Sequence, residues 1–432
     1  MIMAMMKSSN TEWLGDIPAE WDVAQIGNYY ELRNEKVSDY DFEPLSVTMK
    51  GIVPQLATAA KSDDHSNRKL VKKGDFVINS RSDRRGSCGI SPLDGSVSLI
   101  NIVMEPRGEM NPQYYNWLFH TEQFADEFYK WGHGIVDDLW TTRWQEMKKI
   151  LIVAPSPDEQ QAIADYLDKT CSKIDEIIAE AKASIDEYKE LKQSVITEAV
   201  LHGFEEDSVK HSSIEWIGDY NSAFGMTRIG RFCFVTKLAG FEYTNAMADS
   251  IVTEFGVPIV RAQNVKMFRF HSDKIGEFIP EDISFQLNRS SLDKKCLLIT
   301  FIGAGIGDVC VFDEKERYHL APNVAKIVIF DEYKCLLDEH YLMYYLGSEA
   351  GQGEIRRISK ASAQPSLSME TIRSINVVLP PLGVQKQIVE YLNKKMLHMD
   401  SLISEKESLI NDLEAYKKSL IYEVVTGKRR VV

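Results

Sequence analysis

Seven basic side chains crowd residues 68–85, namely Arg68, Lys69, Lys72, Lys73, Arg81, Arg84 and Arg85, against two aspartates. A second group gathers Arg261, Gln263, Asn264, Lys266 and Arg269, and a third, in a stretch that reads as a loop, Arg356, Arg357 and Lys360. Guanidinium and ammonium groups pair with phosphate oxygens or the guanine edge, and side-chain amides match the adenine edge. The chemistry on offer is recognition of nucleic acid. A basic cluster standing alone is more often a solvated surface, so the scaffold that carries these groups has to decide.

Other chemistry finds little support. The run Gly303-Ala-Gly305-Ile-Gly307 has the look of a phosphate loop, but no Lys-Ser/Thr pair follows, and a strand-to-turn glycine run is the expectation. His319 and His340 have acidic neighbours but neither a nucleophile nor a second ligand beside them, so surface or core histidines are expected. The sequence contains no G-x-x-x-x-G-K-[ST], no H-E-x-x-H, no G-x-S-x-G and no Asn/Asp-Pro-Pro-aromatic tetrapeptide. The cysteines Cys88, Cys171, Cys233, Cys296, Cys310 and Cys335 form no C-x-x-C pair, which points to buried free thiols, not zinc or a disulfide framework. No catalytic site, metal or cofactor of the chain's own is expected.

The formal charge of −14 seems at first to argue against a nucleic-acid partner. Its distribution removes the objection. Residues 22–154 sum to −3 and residues 225–378 to −1, whereas residues 155–210 carry 14 acidic and 6 basic side chains. The acid lies on a solvated helical region, and the globular parts are near neutral with local basic stretches. No run approaches the ~18 apolar residues needed to span a bilayer. The opening MIMAMMKSSN has no charged start or small-residue cleavage site, so a cytoplasmic protein without membrane contact is expected.

The elements that must hold these groups are written twice. EWLGDIPAEWDVAQIG at 12–27 and EWIGDYNSAFGMTRIG at 215–230 agree at six positions when displaced by 203. A second match runs from Pro155–Val200 to Pro380–Val425, displaced by 225, and includes Gln160/Gln385, Tyr166/Tyr391, Leu167/Leu392 and Asp175/Asp400. The later globular half is therefore longer by 22 residues, and between the anchors the halves hardly resemble each other.

Both repeated C-terminal segments read as helices of about 44 residues, roughly 66 Å long at 1.5 Å per residue. Their apolar stripes include Leu167, Ile174, Ile178, Ile185 and Tyr188 in the first and Leu392, Met399, Ile403, Ile410 and Leu413 in the second. The steps alternate between three and four, as in a coiled coil, and the two helices are expected to pack on each other antiparallel. A lysine interrupts each stripe, Lys192 and Lys417. The stripe is expected to drift there toward Leu191 and Tyr416, the alternative being an inward lysine that fixes the register. Short β-like runs with glycine punctuation fill both globular halves, each closing with a helical stretch (112–130 and 338–350) and a last strand, so the class is α+β.

Trp13-x-Gly15-Asp16-Ile17-Pro18 with Trp21, the Gly74-Asp75 turn, Leu379-Pro380-Pro381 with Gln385-x-Gln387-Ile388, and the helix ends Ile196-Thr-Glu-Ala-Val and Leu420-Ile-Tyr-Glu-Val-Val-Thr-Gly427-Lys together resemble the specificity subunit of type I restriction-modification systems. The resemblance covers residues 11–427; the second copy departs from it with Asn221 and Phe224, and the first exit reads Ala-Pro-Ser-Pro. It implies a disordered N-terminus (1–10), a target-recognition domain at 11–154, a long spacer helix at 155–203, a linker at 204–213, a second target-recognition domain at 214–379, a second long helix at 380–427 and a tail at 428–432. The two mixed α/β domains would be related by a pseudo-twofold internal repeat, with the helices as an antiparallel coiled coil.

As function, the resemblance implies a non-catalytic subunit that reads a bipartite, asymmetric site on double-stranded DNA. It would dock two modification (methyltransferase) subunits and the restriction subunits, with S-adenosylmethionine, ATP and magnesium belonging to those partners. A recognition chain of a related type II system, or a coiled-coil adaptor without DNA function, are the alternatives. The adaptor predicts no salt-dependent DNA binding.

Overall fold

The computed structural model describes residues 5–58, 65–134, 140–204, 208–359 and 366–431. Two helices dominate it, Pro157–His202 with 46 residues and Leu382–Val425 with 44. Each begins just after a proline-containing break and ends before a glycine in the left-handed region, Gly203 at φ +71° and Gly427 at φ +72°. Glycine accepts that conformation without a Cβ penalty, and so stops the helix.

The chain forms two compact units, and their boundaries cut both helices. One unit comprises Met1–Lys182 with Lys406–Val432, the other Ala183–Glu405. Each globular half thus keeps part of the helix that follows it and takes part of the helix that follows the other half. The sequence division, with helices set apart from domains, misses this sharing.

The four-stranded antiparallel sheet of the first unit runs in the order Cys88–Ile90, Phe76–Asn79, Asn101–Pro106, Tyr30–Leu32. In the second unit the order is Val309–Phe312, Cys296–Thr300, Val324–Ile329, Cys233–Lys237. Registers agree as well: Ile78 opposes Cys88 as Ile299 opposes Val309, and Tyr30 opposes Pro106 as Cys233 opposes Ile329. The halves that hardly resemble each other in sequence therefore share one sheet. The displacement is 203 at Tyr30/Cys233 and 221 at Ile78/Ile299, which places most of the 22 extra residues between the first two sheet strands in sequence. There the units differ. The first carries a three-stranded sheet and a hairpin (Leu45–Thr48 with Gly51–Pro54), the second a mixed sheet with a parallel pair, Val257–Val260 beside Tyr318–Leu320.

Each sheet buries large side chains against its closing helices. In the first unit Tyr30, Phe76, Phe119, Phe124 and Phe128 form a chain of ring contacts 4.5–6.2 Å apart. In the second, Val235, Leu297, Ile299 and Ile327 pack with Tyr341 and Tyr345 in one cluster. The run Val97–Met104, which reads as one strand, is two, Gly95–Ser98 and Asn101–Pro106. The stretch 112–130 is likewise two helices, Pro112–Phe119 and Glu122–Lys130.

Repeated side chains fasten helices to domains. Gln160 accepts from the Asn111 N–H at 2.8 Å and donates to the Pro155 carbonyl at 2.8 Å; Gln385 does the same with Asp338 (2.9 Å) and Pro380 (2.8 Å). Tyr114 Oη donates to the Val425 carbonyl at 2.7 Å and Tyr341 Oη to Val200 at 3.2 Å. In each case the tyrosine grips the end of the helix belonging to the other copy.

Within each unit the two helical segments run antiparallel. Lys417 pairs with Asp175 at 2.6 Å in the first unit, and Lys192 pairs with Asp400 in the second. These are equivalent pairs at a displacement of 225. Leu191 and Tyr416 are exposed at 47% and 46%, whereas the lysine side chains are exposed at only 19% and 24%. The expected drift toward Leu191 and Tyr416 does not occur, because an aspartate on the facing helix receives the lysine. Of the expected stripe, Leu167, Ile174, Ile178, Ile185, Leu392, Met399 and Ile410 are buried, and Tyr188, Ile403 and Leu413 are half-buried.

Part of the N-terminus expected to be disordered, and part of the segment expected to be a linker, are strands. Met6–Ser8 pairs with Asp16–Pro18 around Gly15 at φ +62°, and Val209–His211 pairs with Asp219–Asn221 around Gly218 at φ +62°. Residues 1–4 lie outside the described residues.

Candidate nucleic-acid interface

The sequence cluster 68–85 separates into three places. Arg68 is buried in the three-stranded sheet, where its guanidinium donates to Ser96 Oγ at 2.8 Å and to the Ser96 carbonyl at 3.1 Å. Lys69 Nζ donates to the Asn101 carbonyl at 2.6 Å, and burial pushes its pKa down. Both hold the sheet.

Lys72 and Lys73 flank the Gly74-Asp75 turn. Buried Asp75 accepts from the Lys72 N–H at 2.8 Å and from Arg33 Nε at 2.7 Å. Asp94 takes the Lys73 N–H at 2.7 Å and Lys72 Nζ at 3.4 Å; the Lys73 bond, then the Lys72 charge, hold its carboxyl below the usual carboxylate range. The turn is a fixed corner with an exposed cation already partnered.

Arg81, Arg84 and Arg85 lie at the far end of the strand Phe76–Asn79, about 13 Å away at ~3.3 Å per residue. They occupy the loop Ser80–Ser87. Its ends are pinned: Asn79 N–H to Ser87 carbonyl at 2.9 Å, Thr142 N–H to Ser80 carbonyl at 3.0 Å, and Arg81 bridged to Thr141. Arg81 is half-buried, whereas the Arg84 and Arg85 side chains are exposed at 67% and 52%. Their partners, Asp83 and Asp126, are surface carboxylates, and such pairs exchange readily for phosphate.

In the second unit Arg261 is half-buried and its Nε donates to Glu277 at 2.6 Å. Asn264 is buried; its Oδ1 accepts from the Arg261 N–H at 2.8 Å and its Nδ2 donates to the His271 carbonyl at 3.1 Å. The amide expected to face adenine is spent on building this turn. Gln263 is exposed, with Nε2 3.3 Å from the Lys274 carbonyl. Lys266 and Arg269 oppose each other on the hairpin Val265–Lys266/Arg269–Phe270 and are both exposed. The hairpin tip is anchored where Phe268, at φ +66°, donates its N–H to Val309 at 2.8 Å and stacks on Tyr344. Lys266 Nζ lies 3.8 Å from Asp308, which ends the glycine run.

Arg356 and Arg357 sit on the helix Glu349–Ser359, not in a loop. Arg357 lies over the Trp216 ring at 5.3 Å and Arg356 is exposed, while Lys360 lies outside the described residues. Gln352, one turn before Arg356, donates to the Gly307 carbonyl at 3.0 Å. The helix, the hairpin and the glycine run therefore form one surface, although they lie far apart in sequence. The run joins Cys296–Thr300 to Val309–Phe312, as a strand-to-turn reading expects. His319 is buried between main-chain oxygens, a core histidine. Among the described residues no group of three or more metal-ligating side chains occurs.

Comparison with known proteins agrees with this layout. Residues 257–411 match the family described as the type I restriction modification DNA specificity domain. The type I restriction enzyme MjaVIII specificity subunit of Methanocaldococcus jannaschii is 23% identical over 100% of this chain and 98% of its own length. Over its whole length the chain is thus similar to type I restriction enzyme specificity subunits. The EcoBI specificity subunit of Escherichia coli is 25% identical over 35% of the chain and 31% of its own. In fold, the chain is similar to one from a structure described as the structural basis underlying complex assembly and conformational transition of the type I R-M system (TM-score 0.74, 14% identity, 96% and 99% covered). It is also similar to the HsdS subunit of Thermoanaerobacter tengcongensis (TM-score 0.55, 15% identity, 98% and 100% covered). No helix among the described residues is long and apolar enough to cross a membrane.

Proposed function

We propose that the chain reads a bipartite, asymmetric site on double-stranded DNA, one half-site per unit, with the long helices as the spacer. The observation that carries this reading is that the two units share one sheet, one register and one set of helix fastenings, yet expose different side chains at the sheet ends. A common frame with two dissimilar reading surfaces yields two dissimilar half-sites. Half-sites about one helical turn apart, ~34–36 Å, present the same DNA face to both. Joining two weak readers also raises affinity without new contacts.

In this reading the helices and their flanks dock two modification subunits, and restriction subunits join them. S-adenosylmethionine for methyl transfer, and ATP with magnesium for restriction, are held by those partners. The setting is cytoplasmic. The test is to express the chain with its methyltransferase partner in a host lacking other modification and to sequence the methylome. A two-part motif with unlike halves and a fixed gap is expected; a palindromic or continuous motif, or no methylation, overturns the reading.

A further inference from the structure

The loops Ser80–Ser87 and Phe301–Asp308 have the same length and the same place in their sheets, at a constant displacement of 221. Asn79 N–H bonds to Ser87 as Thr300 bonds to Asp308, both at 2.9 Å, and Ser80 bonds to Ile100 as Phe301 bonds to Asn323. Thr142 N–H bonds to the Ser80 carbonyl at 3.0 Å as Leu367 bonds to Phe301 at 2.9 Å, and the bridge Arg81–Thr141 corresponds to Ile302–Ser366. Gly86 and Gly307 coincide, with φ +74° and +91°. The ends of the loop and its penultimate glycine are thus preserved, while the side chains change from SRSDRRGS to FIGAGIGD and the interior differs, with a 3-10 turn at Ser82–Arg84 in the first loop and Gly303 at φ +102° in the second. Asp83 becomes Ala304, Arg84 becomes Gly305 and Arg85 becomes Ile306.

Backbone geometry accounts for the glycines but not for Ala304: Gly303 lies at φ +102°, and a Cβ on Gly305 would come within 2.8 Å of Asp308 Oδ2. Gly307 is packed, since a Cβ there would come within 3.0 Å of Gln352, but a Cβ on Gly303 would meet nothing within 4 Å. Gly303 and Ala304 are exposed. Cations absent from the second loop stand beside it, with Lys266 against Asp308 and Arg356 one turn from the Gln352 that holds Gly307.

We propose that this loop is the base-reading element of both units and that it reads by opposite chemistry. In the first unit Arg84 and Arg85 reach the guanine edge with their side chains. In the second the small residues Gly303, Ala304 and Gly305 bring backbone and methyl groups against the bases, thymine methyls included, while Lys266 and Arg269 take the phosphates. The proposal rests on the two-half-site reading above.

The test uses the full chain in its methyltransferase complex, with Ala304→Glu, Ala304→Lys and the double variant Arg84→Ala/Arg85→Ala, each checked for an unchanged melting temperature. Both Ala304 variants are expected to lower methylation at the original motif about tenfold and to change bases in one half only. The arginine double variant should change bases in the other half only. An unchanged motif in any properly folded variant, or changes in the same half for both loops, overturns the proposal. If Ala304→Glu acts but Ala304→Lys leaves the motif intact, the effect is phosphate repulsion and the loop does not read bases. Failure of the two-half-site reading is distinct, because the wild-type complex would then show no bipartite motif at all.

Discussion

At the scale of single residues, charge type says little until burial and partners are known. Arg68 and Arg84 are the same residue sixteen positions apart, yet one is locked inside a sheet against Ser96 and the other is exposed on a loop. The same contrast holds for the cysteines. Five are buried, and burial pushes Cys171 up to about 11 and Cys233 and Cys296 up to about 12, while Cys335 is exposed. The thiolate is the reactive form, so iodoacetamide at pH 8 should label Cys335 and spare the other five in the native protein. Peptide mass mapping that finds a second thiol modified at a comparable rate would contradict the burial described. Arg261 illustrates the limit of reading by type: with Glu277 already bound, Arg261→Ala leaves a half-buried carboxylate without its partner. A stability loss should therefore accompany any change in DNA binding, and a melting curve identical to wild type would refute it.

At the scale of elements, repeated buried polar groups decide how helix and domain fit. Gln385 is fully buried and satisfies Asp338, Leu336 and Pro380 at once. Gln385→Leu strands those main-chain groups and should cost about 2 kcal/mol, read by calorimetry as a lower melting transition. A shift within error would mean that water replaces the amide. The lysine-aspartate pairs act differently, since the aspartates Asp175 and Asp400 are exposed at 60% and 59% and solvent screens them. A double-mutant cycle on Lys417 and Asp175 should return a coupling of about 0.5–1 kcal/mol. Zero coupling would assign the register to the apolar stripe alone. These pairs were half legible in the sequence: both lysines break the stripe visibly, but their partners lie 208 and 242 positions away.

At the scale of the whole molecule, each unit contains segments of both long helices, and the proposed spacer role makes helix length the quantity to vary. Removing one heptad from both helices shortens the spacer by about 10 Å, close to three base pairs. The methylated motif should then show a gap reduced by about that amount, or the complex should fail to assemble. Methylation at the original gap would rule out the spacer role. DNA affinity should also fall steeply between 50 and 200 mM salt, because phosphate contacts release counterions. A flat salt profile would favour an adaptor without DNA function.

The sequence by itself determined the repeat, the two long helices, the α+β class and the family resemblance. All of these follow from local pattern: helical period and motifs that recur at 203 and 225. Tertiary structure alone decided which cations face outward, that Asn264 is interior, and that a basic loop and a glycine loop occupy the same place in their sheets. The reason is physical. Strand pairing fixes which residues meet across long stretches of chain, and it preserves a backbone while leaving the exposed side chains free to differ. That freedom hides the common sheet from sequence comparison, and it concentrates the difference between the units at the loops proposed to read DNA.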